Sequence, residues 1–263
     1  MRQFELWNGD GEINDSSLAN YIGFLSSSGR KPACAAQIIA ALRKRSDLLS
    51  VPDPVGPLTK SVMSGFRRSS PAPQQANGMN WDNVQKICAK IPSDLASIRD
   101  KAMILTMSDA MLRVSELVNL NVGDLGNDTI LVCRSKTDQN SHGVELFLGP
   151  PTIDALRIWI MEAGFFNGPL FRPVLKGNQV ERRLSTRQVM RIVKARAESA
   201  GLKASSHSFR VGSCQSLAEA GASLVEMQQA GRWRDPKMPA YYSRRQSAKR
   251  GAMNKYKYGQ AND

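Results

Sequence analysis

The sequence predicts a mainly α fold with a small antiparallel β-sheet, an α+β chain divided into two domains. Three observations carry that prediction. Apolar residues recur at helical spacing through most of the 263 residues. Two short β-rich runs, "TILVCRS" and "GVELFLG", flank the polar turn "KTDQNSH", which is a hairpin signal. The composition breaks clearly once, in "SSPAPQQANGMN", where Pro, Gly, Gln and Asn replace any apolar periodicity. A hydrophobic content of 41% is enough to bury a core in each part.

Before that break lie three short helical patterns. Asp15 is placed to cap a helix that carries Leu18, Ile22 and Leu25 on one face. A second helix runs from Ala33 to about Leu49 with Ile38 and Leu42 inward, and a third covers Leu58 to Phe66. Together they form a small helical domain over 1–70, followed by a linker at 71–79 and a second domain over 80–263. In that second domain the helical pattern holds through "WDNVQKICAKI" and "SIRDKAMILTMSDAMLRVSELVNL", gives way to the hairpin, and resumes in "TIDALRIWIMEAG", "STRQVMRIVKARAESAG", "SFRVGSCQSLAEAG" and "SLVEMQQAG". There is no internal repeat.

The formal charge of +13 requires a strongly positive surface, which selects nucleic acid or an anionic membrane as partner. Membrane is the weaker option, because no apolar run approaches the roughly 20 residues that span a bilayer. The start "MRQFELWNGDGE" also lacks the pattern of a signal peptide. Arg43, Lys44 and Arg45 in the second helix and Arg67 and Arg68 at the end of the third are candidate phosphate contacts, with a solvated basic face as the alternative. The four cysteines, Cys34, Cys88, Cys133 and Cys214, lie far apart, and His142 and His207 have no ligand spacing to them. They read as buried thiols in a reducing cytoplasm, with no metal site.

Several weak signals remain. In "MLRVSELVNLNVGDL" Arg113 and Glu116 stand three apart, on one face of a helix, as an ordinary surface pair also would. Lys136 sits at the hairpin turn, where lysines are commonplace. His207 and Arg210 stand three apart at a helix start, where donors and the helix dipole favour a phosphate, although a structural His is the blander reading. In "GRWRDPKMPAYYSRRQ", Trp233 lies nine residues ahead of Tyr242.

Taken in order, Arg113, Glu116, Lys136, His207, Arg210, Trp233 and Tyr242 resemble the active-site signature of the tyrosine recombinase (phage integrase) family: R-x-x-E, a hairpin Lys, H-x-x-R, a Trp or His, and a Tyr nine residues later. The segments "LRVSEL", "RSKT", "HSFRVG", "LAEAGASLVEMQQAGRW" and "GAM" extend the similarity over roughly residues 80 to 255. The N-terminal module resembles the family's only in outline, and is shorter by a first helix.

The resemblance implies a two-domain architecture, a helical core-binding domain followed by a mixed catalytic domain that clamp duplex DNA between them. It also implies a site-specific recombinase that acts through a 3′-phosphotyrosine and a Holliday junction. Arg113 and Arg210 would present planar, permanently charged forks to the phosphate oxygens. Tyr242 would be the nucleophile rather than the adjacent Tyr241, which is left to packing. A phenol with a pKa near 10 needs help to ionise, and His207 is the implied acid/base group. Lys136 would protonate the leaving 5′ oxygen, Trp233 would contact the phosphate or pack beside it, and Glu116 would hold the arginine in place.

Bond energy kept in the covalent link means no cofactor is expected, in keeping with a sequence that has no P-loop pattern and no carboxylate cluster. The implied partners are duplex recombination sites built as inverted repeats and three further copies of the chain in a tetramer on DNA, with no membrane. The basic tail from Ser243 onward reads either as solvated or as a segment docking on the neighbouring subunit. The expected location is cytoplasmic, at the nucleoid or in the host cytoplasm of a virus or mobile element. Two other readings stand beside this one: DNA relaxation of the type IB topoisomerase kind, and a non-catalytic DNA-binding regulator.

Overall fold

The computed structural model describes residues 2–71, 75–133, 143–175, 178–179, 182–249, 251 and 253–257. The chain divides into two compact units, Met1–Gln74 and Gln75–Asp263.

Among the described residues the first unit contains four helices, α1 (Arg2–Asn8), α2 (Asp15–Ser27), α3 (Pro32–Leu49) and α4 (Pro57–Ser69). The sequence predicts only the last three. Seven residues are too few for a stable helix in isolation, and α1 is held by burial of Phe4 with Leu18, Tyr21 and Ile22. Trp7 adds ring contacts to Tyr21 at 5.0 Å and to Phe24 at 5.9 Å.

Leu42 is buried and Ile38 half-buried in the same core, as their spacing predicts. The assignment of Asp15 is corrected. The residue that caps α2 is Asn14, whose side chain accepts from the N–H groups of Ser16 and Ser17. Asp15 instead reaches across to α4, where its carboxylate accepts the N–H groups of Gly56, Leu58 and Thr59, each at 2.9 Å. Helix α4 starts at Gly56-Pro57 with no capping side chain of its own. A carboxylate imported from α2 satisfies those otherwise orphaned donors.

The second unit begins with α5 (Trp81–Ala89), α6 (Leu95–Asp109) and α7 (Val114–Asn119). The antiparallel hairpin β1 (Thr129–Val132) and β2 (Val144–Phe147) comes next, with Thr129 opposite Phe147 and Val132 opposite Val144. Beyond it lie α8 (Pro150–Ala163), the short strands β3 (Val174–Leu175) and β4 (Asn178–Gln179), α9 (Thr186–Ser199), α10 (Ser208–Glu219), α11 (Leu224–Gly231) and α12 (Lys237–Lys249). The β3–β4 pair is a second two-stranded sheet where the sequence predicts one, because strands of two residues carry no periodicity to read. The helical pattern expected through Leu120 is broken: α6 stops at Asp109, Met111 takes the left-handed conformation, and α7 restarts at Val114. Among the described residues no helix is long and apolar enough to cross a membrane.

Helices α6 and α8 pack along each other over a core that includes Met103, Met107, Leu156 and Trp159. A buried ionic network joins α6 to α9, with Asp100 accepting from Arg99 at 2.6 Å and from Arg196 at 2.8 Å. The thiols are corrected in part: Cys214 is buried and Cys88 half-buried, but Cys34 and Cys133 are exposed. They stand at the start of α3 and just past the end of β1, positions that neither core covers.

Helix α10 is buried over most of its length, from Ser208 to Ala218. The segment entering this unit lies directly on it. The Met79 N–H donates to the Ser208 carbonyl at 2.8 Å and the Trp81 N–H to Ser216 Oγ at 3.1 Å. Gly212 makes the approach possible, since a Cβ there would stand 2.0 Å from the Met79 carbonyl carbon and 2.4 Å from the Asn80 nitrogen. Both are backbone atoms that cannot swing aside. Gly212→Ala is therefore expected to destabilise the second unit by roughly 1–3 kcal/mol, the usual cost of overpacking. Urea unfolding of the full chain reads this as an earlier transition for that unit.

Candidate active site

The site is built on the corner where α6 ends and α7 begins. The left-handed turn at Met111 (φ 46°) sends the chain out, and Arg113, extended at φ −74° and ψ 151°, becomes the N-cap of α7. Arg113 and Glu116 thus do not share a helical face, as their spacing suggests; they are the N-cap and third residue of a capping arrangement. Glu116 Oε2 accepts the Arg113 N–H at 2.9 Å, and Oε1 takes the Arg113 guanidinium at 2.5 Å. Glu116 is 2% exposed.

Helix α10 contributes from the other side. His207 is its N-cap and Arg210 lies in its first turn, 3% exposed. The Arg210 guanidinium donates to the Met111 carbonyl through Nη1 and to the Gly231 carbonyl at 2.5 Å through Nη2. An arginine has five N–H donors, so these two bonds fix the plane of the fork and leave three N–H groups for another ligand. Its carbon lies 5.0 Å from the centroid of the Trp233 ring.

The turn after α11 closes the site. Arg232, left-handed at φ 53°, caps α11 and sends its side chain back to the corner. It donates to Glu116 Oε2 at 2.8 Å and to the Ala110 carbonyl at 2.9 Å. Glu116 is therefore gripped by Arg113 on one oxygen and Arg232 on the other. Next in the chain, Trp233 lies over Gly231, where a Cβ would fall 2.1 Å from the indole ring. The Tyr242 ring on α12 stands 5.7 Å from that of Trp233, in a cluster with Met111, Cys214 and Met227. The Gln75 side chain donates to the Tyr242 carbonyl at 3.2 Å, tying the start of this unit to α12.

The electrostatics are set by three guanidiniums around one carboxylate. Burial alone would raise the Glu116 pKa, but the Arg113 N–H and the charges of Arg232 and Arg113 outweigh it and hold the carboxyl below its ordinary value. Burial, with repulsion from Arg113 and Arg232, brings Arg210 down to about 10, still charged at neutral pH. Partial desolvation, then Arg210 and Arg113, lower His207 below the usual 6.5, so the imidazole is neutral at pH 7. Burial raises the Tyr242 phenol above 10, opposed by Arg210. Beneath it Cys214 is pushed up by burial to about 12 and stays a thiol.

Of the residues singled out in the sequence, Arg113, Glu116, Arg210, Trp233 and Tyr242 come together here, with His207 at their edge. Lys136 and His142 lie outside the described residues. Tyr241 packs differently, with the Arg244 guanidinium 4.2 Å over its ring. In the first unit Arg43, Lys44 and Arg67 line one open groove. Arg45 departs from them to pair with Glu5 at 3.1 Å, while Arg43 also pairs with Asp53 at 3.1 Å. Arg68 is exposed outside that groove. Arg232 is the member of the cluster that spacing did not reveal. Its only signal in the sequence is its place beside Trp233 in "GRW", and its role depends on a left-handed turn.

A model of the phage integrase family matches residues 78–249. The chain is 29% identical over 178 residues to the recombinase cre of Escherichia phage P1, covering 59% of this chain and 52% of that protein. It is 27% identical over 201 residues to an integrase/recombinase xerD homologue of Selenomonas ruminantium, covering 70% of this chain and 59% of the relative. The chain thus spans under two thirds of the length of either. Among solved structures, the Tn1549 transposon integrase in complex with circular intermediate DNA aligns at a TM-score of 0.67 and 15% identity, over 94% of this chain and 90% of that one. The XerH site-specific recombinase bound to a palindromic difH substrate aligns at 0.64 and 17% identity, over 91% and 72%. At such identities the likeness is one of fold.

Glu116→Gln should cost on the order of 3 kcal/mol in chemical denaturation, because it leaves two buried or half-buried guanidiniums without their counter-charge. The contribution has a definite sign with pH. A carboxyl whose folded pKa lies below the unfolded value of 4.5 stabilises the fold above that value and loses its effect as the pH falls through the folded one. The gap between wild type and variant should therefore narrow in acid.

Proposed function

This chain belongs to the phage integrase family, and on that premise we propose that it is a site-specific tyrosine recombinase, cleaving and rejoining duplex DNA through a 3′-phosphotyrosine. The observation that carries this reading is the convergence of two oriented arginine forks, Arg113 and Arg210, with Trp233 and Tyr242 around the α6–α7 corner.

The chemistry rests on these groups. A phosphodiester resists attack by another oxygen, and its transition state gathers charge on the nonbridging oxygens. Arg113 and Arg210 meet that charge with donors already oriented by Glu116 and by backbone carbonyls. The Tyr242 oxygen attacks phosphorus, the P–O5′ bond breaks and a P–O bond to Tyr242 forms. Neutral His207 takes the phenolic proton, and Lys136 supplies one to the departing 5′ oxygen. Trp233 holds the Arg210 fork from its face. Reversal with a new 5′-hydroxyl rejoins the strands without a nucleotide cofactor, since the link keeps the bond's energy.

The unit Gln75–Asp263 acts as the catalytic domain and Met1–Gln74 as the core-binding domain, with the groove of Arg43, Lys44 and Arg67 on DNA phosphates and Arg45 and Arg68 at its margins. The palindromic substrate of the XerH relative supports sites made of inverted repeats. Four copies on two sites pass through a Holliday junction, at the nucleoid or in host cytoplasm.

Covalent trapping tests the reading: the protein is mixed with labelled DNA from the flanks of its own gene, quenched in detergent and resolved on a gel. A protease-sensitive shifted band is expected for wild type and Tyr241→Phe and no band for Tyr242→Phe. Absence of the band on DNA that the protein binds specifically would overturn the assignment. Binding itself should fall steeply with salt through counterion release, and a flat salt response would count against the phosphate contacts.

The pH profile of single-turnover cleavage gives an independent check. His207 accepts a proton only while neutral, so the rate should hold down to pH 6.5 and decline below it as the imidazole titrates. The limb should be missing in His207→Gln.

A further inference from the structure

We propose that Arg232 is a positioning residue for strand cleavage, a third arginine that keeps Arg113 free for the phosphate by occupying the other oxygen of Glu116. The inference rests on the recombinase reading but on a different observation: how one buried carboxylate is shared.

Arg232 does not touch substrate in this arrangement. Its side chain is only 9% exposed and its terminal nitrogens are directed inward, to Glu116 Oε2 at 2.8 Å and to the carbonyl of Ala110 at 2.9 Å. The Arg113 side chain is 22% exposed and engages Glu116 through Nη1 alone, on Oε1. Geometry explains why the division matters. A carboxylate with both oxygens available is gripped by guanidinium in a bidentate fork, the strongest form of the pair. Without Arg232, Oε2 would keep only the Arg113 N–H, and Arg113 could turn its second terminal nitrogen onto the free lone pair. Fewer of its donors would then be left for a phosphate.

The backbone at Arg232 points the same way. It holds a left-handed φ of 53° at the C-cap of α11, where glycine is the residue of lowest strain. At this strained position the arginine side chain closes the circuit, bonding Glu116 and the Ala110 carbonyl. Through it the turn that carries Trp233 is fastened to the corner that carries Arg113. The Met111 carbonyl reinforces the junction, receiving Arg210 and, at 3.5 Å, Arg232 as well.

Three substitutions separate positioning from mere support. Arg232→Gly deletes the side chain while easing the backbone, Arg232→Lys keeps the charge but serves either the carboxylate or the carbonyl, and each is also made with Glu116→Gln. The full-length proteins are assayed for DNA affinity and for first-order covalent-complex formation on a nicked suicide duplex from the flanks of their own gene. Arg232→Gly should slow complex formation roughly tenfold to a hundredfold, the scale of a small misplacement of a reacting group, with DNA affinity within about twofold of wild type. Arg232→Lys should recover part of the rate. In the Glu116→Gln background, removing Arg232 should cost little more, because both act through one carboxylate.

Additive losses, or an Arg232→Gly protein cleaving at the wild-type rate, would overturn the positioning role while leaving the recombinase reading intact. If the glycine variant fails to fold, the lysine variant carries the same comparison. A wild-type protein that binds this DNA without forming any complex would overturn both.

Discussion

The carboxylate of Glu116 is the point on which the second unit's site depends. It is buried, it caps α7 by accepting the Arg113 N–H, and it divides its two oxygens between the guanidiniums of Arg113 and Arg232. Burying a charge is costly unless it is paired and hydrogen-bonded, and here every requirement is met from a separate element. Arg113 comes from the corner after α6, Glu116 from the first turn of α7, and Arg232 from the end of α11. The corner, the first turn of α7 and the end of α11 are thereby held to one geometry.

Backbone carbonyls complete the frame. A chain that stops a helix and turns at a left-handed Met111 leaves carbonyls without helical partners, and those of Ala110 and Met111 are taken up by Arg232 and Arg210. The same bonds orient the Arg210 fork. The break in the helix and the placement of the arginines are thus one feature: the carbonyls released by the first supply the fixed acceptors needed by the second. Close packing of the segment around Met79 on Gly212 sets α10 beneath it, and the Gln75 bond carries that constraint on to α12, next to Tyr242.

Burial and charge around the corner together decide the protonation states. Partial burial, reinforced by the positive charges of Arg210 and Arg113, holds the His207 pKa below its ordinary value and keeps the imidazole neutral at pH 7. Desolvation dominates at Tyr242 and keeps the phenol protonated despite Arg210. A neutral imidazole and a protonated phenol are the starting states that the proposed activation of Tyr242 by His207 needs.

Much was legible in the sequence because it is written in local spacing. The long helices, the β1–β2 hairpin and the composition break over residues 69–80 emerge from periodicity and turn chemistry, and the ordered spacing of Arg113, Glu116, His207, Arg210, Trp233 and Tyr242 pointed to one site. The rest needed contacts between residues distant in the chain. Phe4 makes α1 a helix only by burial against α2, and Asp15 caps a helix that begins some forty residues later. The corner at Met111 interrupts a sequence whose apolar pattern continues unbroken, since a left-handed turn is sustained by partners that lie on α10 and α11. Arg232 belongs to no spacing motif, and only the fold brings it to Glu116. Residue types and their order determined which chemistry was present; the tertiary structure decided which oxygen each arginine holds, because a hydrogen bond depends on position and direction that the order of residues does not encode.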